Sequence, residues 1–238
     1  MNHAARGEGF AFEDDFSSAA QRFKREFWSK ENLRFSQPHY RLEKSARIIN
    51  HLAQGKDCTL LDVGCGPATL SRLLTPNIEY YGLDIAIQDP APNLIEEDFL
   101  EAPIKFDDKQ FDIVIAQGVF EYVSDLQAQK FAEIAQLLTT NGAFIVTYWN
   151  FDHRRKQVAL PFNNVQSIGH FQKDLANHFH IDRSFPASHN WRHGSPNRKL
   201  IKVANMHVNR NIPFVSALLA VEYFFICSSF ENLKTSTS

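Results

Sequence analysis

Cysteine is scarce in this chain. Only Cys58, Cys65 and Cys227 occur, an odd number with no C-x-x-C spacing. That argues against a disulfide scaffold and fits a reducing cytoplasm. Long hydrophobic runs are also lacking. The longest apolar stretch, Val215 to Cys227, is interrupted by Glu222 and is too short to span a bilayer. Met1 to Phe10 carries His3, Arg6 and Glu8 and no apolar segment of the secretory kind. Neither an internal repeat nor a low-complexity tract is present. Net charge is close to nil. Lys and Arg number 25 against 27 Asp and Glu, leaving −2, which gives no general affinity for polyanions.

What is present describes an ordinary globular chain. Of its 238 residues, 44% are hydrophobic and 22% charged, enough apolar surface to build a core and exclude disorder throughout. The length suits one α/β domain. The charge is unevenly placed. Residues 1–150 hold 14 Lys and Arg against 22 Asp and Glu, and residues 151–212 hold 10 against 3. An acidic first part is thus followed by a basic segment, which bears on the ligands each part meets.

The patterning alternates. Ala19 to His51 has helical spacing broken at Pro38, and Gly55 marks a stop. Thr59–Val63 reads as a short apolar strand running into Gly64-Cys65-Gly66. A helical face of Leu70, Leu73 and Leu74 follows up to Pro76. Tyr80–Asp84, Leu94–Asp98 and Phe111–Ala116 read as strands, Leu126–Leu138 as an amphipathic helix, and Asn141-Gly142 as a turn before a strand over Ala143–Tyr148. Asn164–Phe179 is a candidate helix, Ile181–Phe185 and Val221–Ser228 candidate strands, and His189–Asn211 a polar loop. Alternating strands and helices indicate βαβ units around a parallel sheet, and continuous apolar strands indicate a sheet covered on both faces.

The chemistry concentrates after the first strand. Glycines at Gly64 and Gly66 let the backbone turn sharply and approach a ligand where a side chain would collide. In open parallel sheets, ligands bind beyond the carboxyl ends of the strands. Asp84, about twenty residues on, has the spacing of a carboxylate that accepts ribose hydroxyls. A dinucleotide fingerprint would need glycine where Thr69 stands, which disfavours a nicotinamide cofactor.

Asp62-Val-Gly-Cys-Gly-Pro-Ala68 resembles the first motif of class I S-adenosylmethionine-dependent methyltransferases, with Ala68 in place of the third glycine. The resemblance runs in order to about residue 150. It continues through Tyr80–Ile85, Glu97-Asp98-Phe99, Phe111–Val123 with its Glu121-Tyr122-Val123 turn, and Leu137–Val146. It implies a Rossmann-like α/β fold with seven strands, the last antiparallel, helices on both faces, an N-terminal helical cover and a C-terminal lid. Residues 1–55 would be the arm and cover. Residues 56–238 would be the methyltransferase domain, with an acceptor-side segment and lid over 151–220.

By the same resemblance S-adenosylmethionine is the cofactor. Gly64, Cys65 and Gly66 form its loop, with Asp62 either touching it or orienting the loop. Asp84 and Ile85 lie at the ribose, Asp98 and Phe99 at the adenine, Gln117 and Gly118 at the methionine part, and Tyr40 or Arg41 at its carboxylate. Cys65 reads as a small packing residue, not a nucleophile, since nothing nearby lowers its pKa. Tyr122 and His153 are the candidates for base or acceptor-orienting group. Asn150, Asp152, Arg154, His189, Trp191 and His193 are candidates for the acceptor side. Five histidines between His170 and His193 match no zinc spacing, so no metal is expected. The basic segment suggests a small anionic acceptor, or one on an acidic carrier protein. An RNA or DNA methyltransferase and a non-catalytic S-adenosylmethionine-binding module are the alternatives. Strand four ends in Ala116-Gln-Gly-Val119, without the Asn/Asp-Pro-Pro-aromatic run of amino-directed nucleic-acid enzymes, and no nucleic-acid-binding module is visible.

Overall fold

Apolar runs with β-branched and aromatic residues become strands here, and the strands join into one sheet. The computed structural model of the protein describes residues 25–31, 36–37, 40–101, 103–104, 106, 109–151, 166–189 and 220–230. In chain order the elements are α1 (Arg25–Glu31), α2 (Tyr40–Ala53), β1 (Cys58–Val63), β2 (Ile78–Asp84), β3 (Leu94–Glu96), β4 (Phe111–Ala116), α3 (Gln127–Leu137), β5 (Leu138–Trp149), α4 (Ile168–Leu175), β6 (His180–His189) and β7 (Ala220–Ser228). Two short 3-10 turns, Thr69–Leu73 and Ser124–Leu126, complete the described set.

The sheet order is β3-β2-β1-β4-β5-β7-β6. β1 pairs parallel with β2 and β4, and β5 parallel with β4, while β7 runs antiparallel to both β5 and β6. The order reverses beside β1, so the turns after β1 and β4 flank the crevice where such sheets take ligands. This is the seven-stranded, mostly parallel sheet that the resemblance implies.

Side chains alternate between faces. Leu61, Val63, Val114 and Val146 join Phe131 and Ile134 of α3 and Phe171 of α4 in one core. Leu60, Ile113, Ile115 and Ile145 join Ala46, Ile49 and Ala53 of α2 in the other. Burial on both faces explains why the central strands are apolar without interruption. At the edge opposite the crevice, Asp112 on β4 accepts hydrogen bonds from the Thr59 amide at 2.9 Å and hydroxyl at 3.0 Å, fixing the β1–β4 register.

Several boundaries differ from the sequence expectation. The helical face at Leu70–Leu74 is only the five-residue 3-10 turn, because Pro67 and Pro76 bracket a stretch too short for a helix. β3 stops at Glu96, where the chain turns and the Asp98 carboxylate accepts the Leu100 amide at 2.8 Å. Asn141-Gly142 does not end an element. It lies inside β5, where the register against β4 shifts between the Phe111–Leu138 and Ile113–Ala143 pairs. The N-terminal helical stretch, by contrast, follows the expected break at Pro38, with α1 before it and α2 after it. The expected acceptor-side segment and lid fall largely on 152–165 and 190–219, outside the described residues. Among the described residues no helix is long and apolar enough to cross a membrane.

Candidate functional site

The turn after β1 is built from its glycines. The Gly64 and Cys65 amides donate to the Leu83 carbonyl at the end of β2, at 2.8 and 3.1 Å. The Gly66 amide donates to Asp84 Oδ2 at 2.8 Å, and the Ala86 amide to Oδ1 at 2.9 Å. Gly64 has φ +74°, and a Cβ there would meet Val119 Cγ2 at 2.5 Å. Only glycine lets this turn lie against the turn after β4. Asp84 therefore braces the glycine turn and stands at the strand edge, buried but for a small part.

Asp62 lies beneath this turn. Its carboxylate accepts the Tyr80 hydroxyl at 2.8 Å. Burial pushes its pKa up to about 7, with Asp84 adding to the rise and the Tyr80 bond opposing it. Burial, reinforced by Asp62 and Asp84, also raises the Cys65 thiol well above its ordinary range, so it is no nucleophile.

The other wall is the turn after β4. Gln117 donates to the Ser45 hydroxyl of α2. The Gly118 amide donates to Thr147 Oγ1 of β5 at 3.0 Å. The guanidinium of Arg41, at the start of α2, lies 3.4 Å from where a Gly118 side chain would begin. Arg41 Nη1 also donates to Glu222 Oε1 at 3.0 Å. Burial works against the Arg41 charge, but Glu222 outweighs it and raises the guanidinium pKa. Glu121 is fully buried beside this pair. Its Oε1 accepts the Trp149 amide at 3.0 Å, and its Oε2 has no hydrogen-bond partner among the described residues. Burial first, and Glu222 second, push its carboxyl up to about 8.

α1 lies across the carboxyl ends of the strands. Arg25 pairs with Glu96 of β3, and the Ser29 carbonyl accepts from Gln88, beyond β2, at 2.9 Å. The Trp28 ring meets Tyr122, beyond β4, edge-on at 5.0 Å. One short helix thus bridges from β3 to β4 over the crevice.

The residues expected from the sequence fall into three groups. Arg41, Asp62, Gly64, Cys65, Gly66, Asp84, Gln117 and Gly118 converge on the two facing turns, with Tyr40 and Ile85 beside them and partly exposed. Phe99 sits in the core edge-on to Phe120, and Asp98 holds its own turn. Asn150 is buried at the end of β5, donating to the Ala220 carbonyl at 3.0 Å. His189 ends β6, while Asp152, His153, Arg154, Trp191 and His193 lie outside the described residues. Sequence reasoning passed over Ser45, Thr147, Glu222 and Trp28. Thr147 and Glu222 had a signal, a polar residue interrupting an apolar strand; Ser45 and Trp28 had none.

The profile of a family described as a methyltransferase domain matches residues 21–203. The chain belongs to this family. Its fold and membership make it a class I S-adenosylmethionine-dependent methyltransferase. Solved structures share the methyltransferase's fold at low identity. A chain of the complex between the Haloferax volcanii Trm112 methyltransferase activator and a putative methyltransferase is 16% identical, with TM-score 0.59, over 89% of this chain and 97% of that one. The CcbJ methyltransferase from Streptomyces caelestis is 12% identical, with TM-score 0.59, over 81% and 90%. The N-methyltransferase NodS from Bradyrhizobium japonicum WM9, in complex with S-adenosylhomocysteine, is 10% identical, with TM-score 0.51, over 79% and 85%. No curated protein matches the methyltransferase.

The site's chemistry fits the family's cofactor. A turn with glycine at 64 and 66, an acid at the end of β2 and the Arg41 cation against the turn after β4 suit a nucleoside that carries hydroxyls and a carboxylate.

Proposed function

We propose that this methyltransferase acts on a small-molecule acceptor that is anionic or carried on an acidic protein. The observation that carries the reading is the reversal of charge along the chain. Residues 1–150, which build the cofactor turns, are acidic, and residues 151–212 are basic. The positive cofactor suits the first part, and an anionic acceptor suits the second. Residues 1–55 act as arm and cover, and 56–238 as the transferase domain with its acceptor-side segment.

S-adenosylmethionine, when bound, supplies an electrophilic methyl group on a sulfonium. Gly64, Cys65 and Gly66 would receive it along their backbone, with Asp62 bracing the turn from below. Asp84 and Ile85 would take the ribose, Asp98 and Phe99 the adenine, and Gln117, Gly118, Tyr40 and Arg41 the methionine part. In-line displacement gains most from alignment and from exclusion of water, so α1 contributes by roofing the crevice. Tyr122 stands under α1 and would orient the acceptor, with His153 as the base when the acceptor arrives protonated. Asn150, Asp152, Arg154, His189, Trp191 and His193 would form the acceptor wall.

Calorimetry with S-adenosylhomocysteine tests the cofactor assignment. Wild type is expected to bind in the micromolar range, and Asp84→Ala to lose about 2–3 kcal/mol through lost hydrogen bonds to ribose. No binding by folded wild type would defeat the assignment. The acceptor reading predicts that Arg154→Glu with Arg155→Glu raises the acceptor KM; an unchanged KM would count against an anionic acceptor.

A further inference from the structure

Glu222 is an anomaly of its strand. It sits among Val221, Tyr223, Phe224 and Phe225, and its side chain is 2% exposed. A carboxylate in such a place is costly unless it is paired. Its recorded partner is Arg41, 181 positions away, at 3.0 Å. The topology explains how they meet. β7 runs against the parallel strands, so its first residues arrive at the edge where those strands end. The register sets Glu222 opposite Trp149, whose amide donates to Glu121 at 3.0 Å. Three chain segments far apart in sequence therefore converge behind Gly118.

With its carboxyl pushed up to about 8, Glu121 is largely protonated at neutral pH. The Arg41 cation and the Glu222 anion then balance, and what the pair contributes is the direction of the guanidinium. A guanidinium presents its donors in a planar fork, so anchoring one nitrogen fixes the direction of the others. Arg41 is anchored through Nη1, against the turn at Gly118.

We propose that Glu222 is a positioning residue, holding the Arg41 guanidinium at the end of β4 so that Arg41 receives the carboxylate of the cofactor's methionine part. The proposal rests on the methyltransferase reading above. Glu222 itself touches no ligand and acts through Arg41.

Two ligands separate this role from a merely structural one. S-adenosylhomocysteine carries the amino-acid carboxylate; 5′-methylthioadenosine keeps the nucleoside and sulfur without it. By calorimetry, Glu222→Gln is expected to weaken S-adenosylhomocysteine about tenfold, the scale of one charge-assisted hydrogen bond. Methylthioadenosine should change by less than about twofold, since no bond to a carboxylate is involved. In an Arg41→Gln background, Glu222→Gln should cost nothing further. Glu222→Asp keeps the charge on a shorter stem, and a smaller loss with the same selectivity is expected even where Glu222→Gln fails to fold. Equal weakening of both ligands, no weakening of either, or a full further loss in the Arg41→Gln background would overturn the proposal. Wild type that binds neither ligand would overturn the cofactor reading itself, a distinct result.

Discussion

Ala68 holds a backbone conformation that favours glycine, with φ 50° and ψ 30°. A side chain there costs about 1–2 kcal/mol, and the position is the third glycine of the family's first motif. Ala68→Gly relieves the strain but loosens the unfolded chain, so a net gain of about 0.5–1 kcal/mol is expected. Urea unfolding measures it, and a lowered midpoint would show that other contacts of Ala68 matter more. Residues such as Gly64, Gly66 and Asp84 were legible in the sequence because they act within one βαβ unit, through backbone turns whose spacing is nearly fixed. The Arg41–Glu222 pair was not. Its partners meet only because β7 is antiparallel, which no local pattern encodes. Glu121 was seen as part of a turn, while its raised carboxyl depends on burial contributed by several elements at once.

At the scale of elements, α1 has seven residues, too few to be stable alone. Its contacts to Glu96, Gln88 and Tyr122 hold it in place, and all three lie on the rim of the crevice. Titration with S-adenosylhomocysteine should therefore change the tryptophan emission, and Trp28→Phe should remove most of that change. An undiminished signal in Trp28→Phe would show that α1 does not sense the ligand. β4 was read to the residue because an apolar run buried on both faces has sharp polar limits. The 3-10 turn after Gly66 was over-read as a helix, since apolar spacing persists where two prolines deny helical length. The continuity of β5 through Asn141-Gly142 was hidden because a strong turn signal can also serve as a bulge.

For the whole molecule, buried ionisable groups set how stability follows pH, beginning with two carboxyls. In the unfolded chain Asp62 and Glu121 ionise near pH 4, roughly. In the fold their carboxyls hold protons up to about 7 and about 8. Between those limits the folded state binds more protons, so stability falls as pH rises. Lys44 acts with the opposite sign. It is buried against β6, donating to the Ala187 carbonyl at 2.7 Å, and burial lowers its ammonium to about 8. Above that, its unfolded ammonium keeps a proton up to roughly pH 10.4, but burial raises the Cys58, Cys65 and Cys227 thiols, which stay protonated where the unfolded chain ionises from roughly pH 8.5, and these three outweigh it. Urea midpoints should therefore fall from roughly pH 4 through pH 8 and on into the alkaline range, and Asp62→Asn with Glu121→Gln should flatten the part of the fall below roughly pH 8. A flat wild-type profile would contradict these shifts. The sheet's last two strands have a consequence of another kind. β6 ends and β7 begins at the same edge, with His189 paired to Ala220, so segment 190–219 departs and rejoins within one rung of the ladder. Such a junction serves as a cassette port. On the proposed function, replacing the segment between its two anchors would re-address the enzyme to new recipients while the donor-binding half stays untouched.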